Sequence, residues 1–188
     1  MNHDVVLALV SAVWVGLELV VGLITRSAAG KSTRQDRGSY ALMWILLIAA
    51  TFIGGIIHQL PIARMPLPNA TFWFGIALML AGMAIRATAI ATLRRFFTVH
   101  VTIQESHELV DKGIYRVIRH PSYTGALISF VGLGFAFGSW LSLAIIIAAA
   151  LIGFGYRIRV EEAALIAHFG ERYRSYSSRT KRLIPFVY

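Results

Sequence analysis

Uncharged or nearly uncharged stretches recur along the chain and alternate with polar segments. They cover about residues 5–25, 39–57, 71–85 and 123–156. A helix needs roughly 20 residues of mainly apolar sequence to cross the hydrocarbon core of a bilayer. The first two stretches reach this length, and the third reaches it when it continues past Arg86 to Leu93. The pattern therefore predicts a series of membrane-spanning helices.

The last stretch is too long for a single crossing. As one helix, residues 123–156 would extend over roughly 50 Å at about 1.5 Å per residue. We therefore predict two helices, the second of which begins at Trp140. The turn between them is marked by Gly132, Gly134, Gly138 and Ser139.

The predicted fold class is all-α: a polytopic membrane helical bundle with five transmembrane helices, in one domain of residues 1–188. The last two helices form a helical hairpin. The predicted spans are about residues 5–25, 39–58, 71–93, 122–137 and 140–160.

Composition and charge support this fold and orient it. The chain is 57% hydrophobic and only 14% charged, which is typical of an integral membrane protein. Lys and Arg concentrate in residues 26–38, 94–119 and 157–182, whereas residues 58–70 contain only Arg64. The positive-inside rule then predicts an outside N-terminus and a cytoplasmic C-terminus. The net charge of +9 follows from this topology and from contact with membrane lipids, so no nucleic-acid partner is predicted.

Two polar groups flank the predicted hairpin. The run Arg-His-Pro-Ser-Tyr-Thr-Gly at residues 119–125 precedes it, and Arg157 and Glu161 follow its apolar part. A hairpin would bring both groups to the cytoplasmic end. Pro121 suits the first turn of a helix, where free N–H groups and the helix dipole favour an anion. The alternative is that His120 and Tyr123 only anchor the helix at the membrane interface.

Arg157 and Glu161 are four residues apart and share one helix face, while Glu162 points elsewhere. At interface depth the arginine could orient an anionic substrate, and the carboxylate could bind hydroxyl or amino groups. The alternative is a surface ion pair worth a few tenths of a kcal/mol. Arg86, inside the third span, is a further costly cation that favours a functional explanation.

Other kinds of site find little support in the sequence. The chain has no cysteine, which excludes disulfides, thiolate metal sites and cysteine nucleophiles. Its six histidines show no HxxH or HExxH spacing, so no metal site is predicted.

Several motifs in the second half of the chain resemble one known family. They lie at residues 109–110, 113–115, 119–125, 161–162, 169–173, 176 and 185. Together they resemble the isoprenylcysteine carboxyl methyltransferase family, of which this chain would be a short, prokaryotic-type member. The resemblance runs from about Phe96 to the C-terminus and implies that residues 96–188 are the cofactor-binding half.

The resemblance implies an integral membrane methyltransferase with a cytoplasmic pocket for S-adenosyl-L-methionine, which leaves as S-adenosyl-L-homocysteine. The implied acceptor is lipophilic and enters from the bilayer, foremost the carboxylate of an isoprenylcysteine-like substrate. Arg157 and Glu161 take the catalytic roles, and Arg157 also binds the substrate. The implied cofactor contacts are His107, Glu108, Leu109, Val110, Tyr115, His120, Pro121, Ser122, Tyr123 and Glu161, with Ile103 or Gln104 as the equivalent of a further one.

Three alternatives stay open at this point. The chain could methylate the nitrogen of a phospholipid or of another lipid. It could instead be a small channel or transporter that uses Arg86, although its polar residues gather at one face and not along a pore. A reductase with a nicotinamide cofactor is a third possibility. The sequence leaves the oligomeric state open.

Overall fold

The structure is a computed structural model that describes residues 2–28, 33–34, 38–97, 102–103 and 109–185. Its helices are α1 His3–Ala28, α2 Ser39–Ile57, α3 Pro68–Leu93, α4 Pro121–Ala136, α5 Trp140–Phe169 and α6 Glu171–Arg179. Short 3₁₀ turns lie at Pro61–Ala63, Arg94–Phe96 and Gly113–Arg116. Two two-residue strands, β1 Thr33–Arg34 and β2 Thr102–Ile103, pair antiparallel and connect the segment after α1 with the segment after α3.

Four helices of the described part are long and apolar enough to cross a membrane. These segments are His3–Thr25, Ser39–Ile57, Pro68–Leu93 and Trp140–Phe169. The remaining apolar helix, α4, has 16 residues and ends where the chain turns at Gly138, whose φ is +65°. The chain is thus a multi-pass, helical membrane protein. Four of its described helices meet the length and hydropathy expected of a span, and α4 corresponds to the fourth of the five predicted spans.

Helices α3 and α4 approach each other closely because glycines face glycines. A Cβ added to Gly82 would lie 2.4 Å from the carbonyl oxygen of Gly125, and one added to Gly132 would lie 2.6 Å from that of Gly75. Without side chains at these positions the two backbones pack directly, as is common between membrane helices.

The prediction that Gly132 and Gly134 form the turn after α4 is wrong. Both lie inside α4, where a Cβ on Gly134 would come within 2.8 Å of the Cα atom of Leu143 in α5. The turn itself comprises residues 137–139. Ser139 caps α5 by accepting a hydrogen bond from the backbone N–H of Ser142 at 3.3 Å. The glycines inside α4 therefore serve helix packing.

The helices run between two ends of the bundle. At one end, the backbone N–H of Met65 donates to the carbonyl oxygen of Gly138 at 2.8 Å, which joins the α2–α3 and α4–α5 connections. The other end, here called the polar end, contains the starts of α2 and α4 and the last turns of α5. The N–H groups of Arg119 and His120 donate there to the carbonyl oxygens of Lys181 (2.7 Å) and Arg182 (3.1 Å). The C-terminal segment thus pairs with the residues that lead into α4.

Candidate functional site

A tyrosine hydroxyl at the polar end connects two side chains of α5. Tyr123, in the first turn of α4, donates to Oε2 of Glu161 at 3.0 Å. The same hydroxyl oxygen accepts from Nε of Arg157 at 3.2 Å. Arg157 and Glu161, four residues apart on α5, therefore face the same hydroxyl. These three residues are called the Glu161 group below.

The N-terminus of α2 holds the guanidinium of Arg157 from another direction. Arg157 is 2% exposed, and its Nη1 donates to Oγ of Ser39 at 2.8 Å. Its guanidinium carbon lies 5.7 Å from the ring centroid of Tyr40, a distance that allows a cation–π contact. A buried arginine has few rotamers left when three side chains contact it. Its charge is therefore fixed in position inside the bundle.

Glu162 lies on another face of α5, as predicted, and that face is buried at the polar end. Its Oε1 accepts from Nε of Arg119 at 2.9 Å and lies 3.3 Å from Nε2 of His120. Its Oε2 accepts from Arg182 at 2.8 and 3.0 Å. Arg119 also donates to the carbonyl oxygens of Ser177, at 2.7 Å, and Thr180. These four residues, Glu162, Arg119, His120 and Arg182, form the Glu162 cluster, which joins α5, the start of α4 and the C-terminal segment.

Further hydrogen bonds fasten the C-terminal segment to the same end. The hydroxyl of Thr124 in α4 donates to the carbonyl oxygen of Leu183 at 2.7 Å. The hydroxyl of Tyr176 in α6 donates to the carbonyl oxygen of Tyr115 at 2.7 Å. Because these contacts come from two helices and a 3₁₀ turn, the segment after α5 forms one wall around the polar end.

Three tyrosines at the polar end remain neutral. Burial raises the pKa of Tyr115 above its ordinary value, and the negative charge of Glu161 raises it further. Burial also raises the pKa of Tyr173 and Tyr176. The hydroxyl of Tyr173 is buried without a hydrogen-bond partner in the described part of the chain. These hydroxyls are therefore neutral at physiological pH.

The structure places several of the predicted site residues together. Tyr123, Arg157 and Glu161 are linked by hydrogen bonds, and Nδ1 of His120 lies 4.0 Å from Oε2 of Glu161. Pro121 and Ser122 are buried in the first turn of α4. The structure therefore brings together predicted residues from the start of α4 and from α5, which are more than 30 residues apart in the sequence.

The other predicted contacts precede α4. Leu109 and Val110 are half-buried. Ile103 belongs to β2, which lies against α5, but its side chain is outside the described part. Gln104, His107 and Glu108 also lie outside the described residues.

The start of α4 differs in one respect from the prediction. Free N–H groups were expected there to attract an anion. Of these groups, Pro121 has no N–H, and the N–H of Tyr123 donates to the carbonyl oxygen of His120 at 3.0 Å. The N–H of Thr124 makes the ordinary first helical bond to the same oxygen at 3.1 Å, so fewer N–H groups are free than a helix start can offer. The side chains of the first turn carry most of the chemistry that this helix start offers.

Sequence reasoning missed the roles of Glu162 and of its partners Arg119 and Arg182. A signal was present, since two adjacent carboxylates at the end of an apolar helix must point to different faces. The identity of the partners was not readable, because Arg119 and Arg182 lie far from α5 in the sequence. Ser39 and Tyr40 carried no recognisable signal.

The Glu161 group offers a defined chemistry. The side chain of Glu161 is 31% exposed, whereas that of His120 beside it is 3% exposed. A partly exposed carboxylate next to an aromatic ring suits a cationic ligand or one with hydroxyl groups. The neighbouring buried guanidinium suits a carboxylate or another anion. One place therefore combines features for two ligands of opposite charge.

Comparison with known proteins identifies relatives of this chain. Residues 70–172 match the family described as phospholipid methyltransferase. Protein-S-isoprenylcysteine O-methyltransferase B of Arabidopsis thaliana is 36% identical over 116 residues, covering 61% of this chain and 59% of the relative. A probable protein-S-isoprenylcysteine O-methyltransferase of Oryza sativa subsp. indica is 32% identical over 122 residues, covering 62% of this chain and 64% of the relative.

A solved structure resembles a larger part of this chain. It is that of the eukaryotic intramembrane Ras methyltransferase, isoprenylcysteine carboxyl methyltransferase. The TM-score is 0.59 at 27% sequence identity, and the match covers 79% of this chain and 51% of that one. The chain thus spans between about half and two thirds of the length of these relatives.

Proposed function

Because this chain belongs to the phospholipid methyltransferase family, and its relatives include isoprenylcysteine methyltransferases, we propose that it is a membrane methyltransferase. It transfers a methyl group from S-adenosyl-L-methionine to a lipophilic acceptor, foremost the carboxylate of an isoprenylcysteine-like molecule. The family membership confirms the resemblance inferred from the motifs. The observation that carries the proposal is a fixed, buried Arg157 next to a partly exposed Glu161.

The residues of the polar end fit the proposed methyl donor. S-adenosyl-L-methionine, when bound, supplies a methyl group on a positively charged sulfur, which departs as a neutral thioether when the methyl group leaves. The carboxylate of Glu161 and the ring of Tyr123 suit this cation and its hydroxyl and amino groups. His120, Pro121 and Ser122 lie beside Tyr123 at the start of α4 and are proposed to contact the same donor. The pocket is proposed to face the cytoplasm.

The acceptor needs orientation more than activation. A carboxylate is ionised at neutral pH, so the chain need not supply a general base. Arg157 would hold one carboxylate oxygen through its guanidinium and leave the other free to attack the methyl carbon. Ser39 and Tyr40 keep that guanidinium from turning away. Because Arg157 is 2% exposed, little water reaches its guanidinium.

The first experiment is binding of S-adenosyl-L-homocysteine to the purified chain in mild detergent, measured by calorimetry. We expect a dissociation constant in the micromolar range, with NADPH as the control ligand. Binding of NADPH without binding of the homocysteine product would replace this proposal with the reductase alternative.

The second experiment identifies the acceptor group. Membranes that contain the chain are incubated with methyl-labelled S-adenosyl-L-methionine and then treated with mild base. A methyl ester releases the label as methanol, whereas an N-methyl group retains it. Release is the expected result, and retention on a lipid amine would show N-methylation. Absence of transfer in every fraction, by a chain that binds the product, would contradict a methyltransferase function.

The topology completes the proposal. Helix α4 starts at the polar end and reaches the opposite end at Gly138, so we propose that it crosses the membrane as a fifth span and forms a hairpin with α5. The N-terminus then lies outside, and the polar end lies in the cytoplasm.

The absence of cysteine makes this topology easy to test. One single-cysteine variant, Ser178→Cys, places a cysteine at the polar end. The other, Ile62→Cys, places one at the opposite end, at a residue that is 95% exposed. A membrane-impermeant maleimide should label the first only in inside-out vesicles and the second only in intact cells. The reverse labelling would contradict the orientation.

A further inference from the structure

A carboxylate and a guanidinium from two membrane helices pair with each other, and neither belongs to the Glu161 group. Glu18 comes from α1 and Arg86 from α3. Nε of Arg86 donates to Oε1 of Glu18 at 2.5 Å, and Nη2 donates to Oε2 at 2.7 Å. The two side chains are 15% and 14% exposed. The pair is therefore bidentate and largely shielded from the surroundings.

Such a pair is costly in a membrane, since either charge alone is expensive to place in a spanning helix. Pairing offsets much of this cost but does not explain why the charges are there. One explanation is that the pair only attaches α1 to α3, because just 6% of the apolar stretch of α1 is buried against the rest of the bundle. An attachment would need the contact between Glu18 and Arg86 and nothing further.

Arg86 makes a second set of contacts that an attachment would not need. Its Nη1 donates to Oγ of Ser122 at 2.7 Å and to the carbonyl oxygen of Ser122 at 3.2 Å. Ser122 immediately precedes Tyr123, the residue that connects Glu161 and Arg157. The guanidinium of Arg86 thus bonds to both the backbone and the side chain of Ser122, in the first turn of α4.

The backbone packing places Arg86 at a close approach of α3 and α4. A Cβ added to Gly125 would lie 2.6 Å from the backbone nitrogen of Arg86 and 3.0 Å from its Cβ. The base of the arginine side chain is therefore fixed against α4, and Glu18 fixes its charged end. A side chain held at both ends can position a third group with little freedom.

We propose that Glu18 and Arg86 form a positioning device for the methyl-donor site. Glu18 neutralises and orients the guanidinium, and Arg86 holds Ser122, and through it Tyr123, in the geometry that binds the donor. The part of this inference that concerns binding of the methyl donor rests on the proposed function. Glu18 lies outside the matched residues 70–172, so α1 takes part in a site that the family match alone would not include.

A charge swap separates positioning from attachment. The double variant Glu18→Arg/Arg86→Glu keeps an ion pair between α1 and α3, but a carboxylate at position 86 cannot donate to Ser122. We expect its midpoint of thermal unfolding to stay within a few degrees of that of the wild type. We expect faster hydrogen exchange in the peptide that covers residues 119–126 and about tenfold weaker binding of S-adenosyl-L-homocysteine.

The matched control is Glu171→Arg/Arg174→Glu, which swaps an exposed pair on α6 and should change none of these measurements.

The outcomes distinguish the two proposals. A swapped chain with wild-type exchange and wild-type binding would show that the pair only attaches α1, which overturns the inference. Faster exchange in a chain whose wild type binds no S-adenosyl-L-homocysteine would leave positioning intact and reject the proposed function. If the swapped chain does not fold, Glu18→Leu/Arg86→Met makes the same comparison, because an apolar pair can keep α1 packed against α3 while the side chain at position 86 has no donor for Ser122.

Discussion

Glu161 and Glu162 are neighbours in the sequence, and the structure uses them in opposite ways. Glu162 is 10% exposed and faces the side chains of Arg119, His120 and Arg182, whereas Glu161 is 31% exposed and accepts from the hydroxyl of Tyr123. The carboxylate of Glu162 is surrounded by side chains of the protein itself. The carboxylate of Glu161 is partly exposed and can contact a ligand. A step of one residue along α5 thus separates a structural cluster from a candidate binding group.

The largest expected effect comes from breaking the structural side of this comparison. Glu162→Ala leaves the cationic side chains of Arg119 and Arg182 without their shared carboxylate at a mostly buried position. Removing one partner of a buried pair costs about 3 kcal/mol or more, which corresponds to a fall of about 10 °C in the midpoint of thermal unfolding. Glu171→Ala, at an exposed position, is the control and should change the midpoint little. An unchanged midpoint for Glu162→Ala would show that the cluster does not hold the C-terminal segment.

Glu161→Gln addresses the other side of the comparison. The amide keeps the shape of the side chain and loses the negative charge that would attract the sulfonium and ammonium groups of the donor. We expect about 100-fold weaker binding of S-adenosyl-L-homocysteine, or about 2.7 kcal/mol, and an unchanged unfolding midpoint without ligand. Calorimetry and thermal unfolding measure the two quantities, with Glu171→Gln as the control. A lower unfolding midpoint with unchanged binding of S-adenosyl-L-homocysteine would show that Glu161, like Glu162, stabilises the fold and does not bind the donor.

Tyr123→Phe tests the connection between the carboxylate and Arg157. The substitution removes a hydroxyl that makes two hydrogen bonds to charged groups, while the ring remains. We expect a tenfold lower kcat/KM for methyl transfer, equivalent to about 1.4 kcal/mol. Tyr156→Phe, on an exposed part of α5, is the matched control. Equal effects of the two substitutions would argue against a role for the hydroxyl.

The smallest effect is expected at the start of α2. Ser39→Ala removes one acceptor of Arg157 and leaves the contact with the ring of Tyr40. We expect the KM for the acceptor to rise about threefold, less than 1 kcal/mol, while the affinity for S-adenosyl-L-homocysteine stays the same. A weaker affinity for the homocysteine product would move Ser39 from the acceptor side of the site to the donor side.

Much of this molecule was predictable from local sequence. The apolar stretches gave the helices, because a segment that must satisfy its backbone inside lipid has few alternatives to a helix. The family was inferred correctly from the motifs between residues 109 and 185. The shared face of Arg157 and Glu161 followed from helical spacing alone.

Other features were predicted incorrectly or not at all. Gly132 and Gly134 resembled a turn because glycine is common both in turns and in closely packed helices, and only the neighbouring α3 and α5 distinguish the two. The partners of Glu162 and the link from Glu18 to Arg86 depend on helices that are distant in the sequence. Spacing along one helix contains no information about them.

The sequence by itself determined that this chain forms membrane helices, which family it belongs to and which polar residues deserve a functional explanation. Each of these follows from local composition, periodicity or motif. Only the tertiary structure decided which carboxylate is paired with Arg119 and Arg182 and which remains partly exposed. It also decided that Ser39 bonds to Arg157 and Glu18 to Arg86. The physical reason is that charge pairing and exposure depend on distances across helices, and those distances are set when the bundle packs.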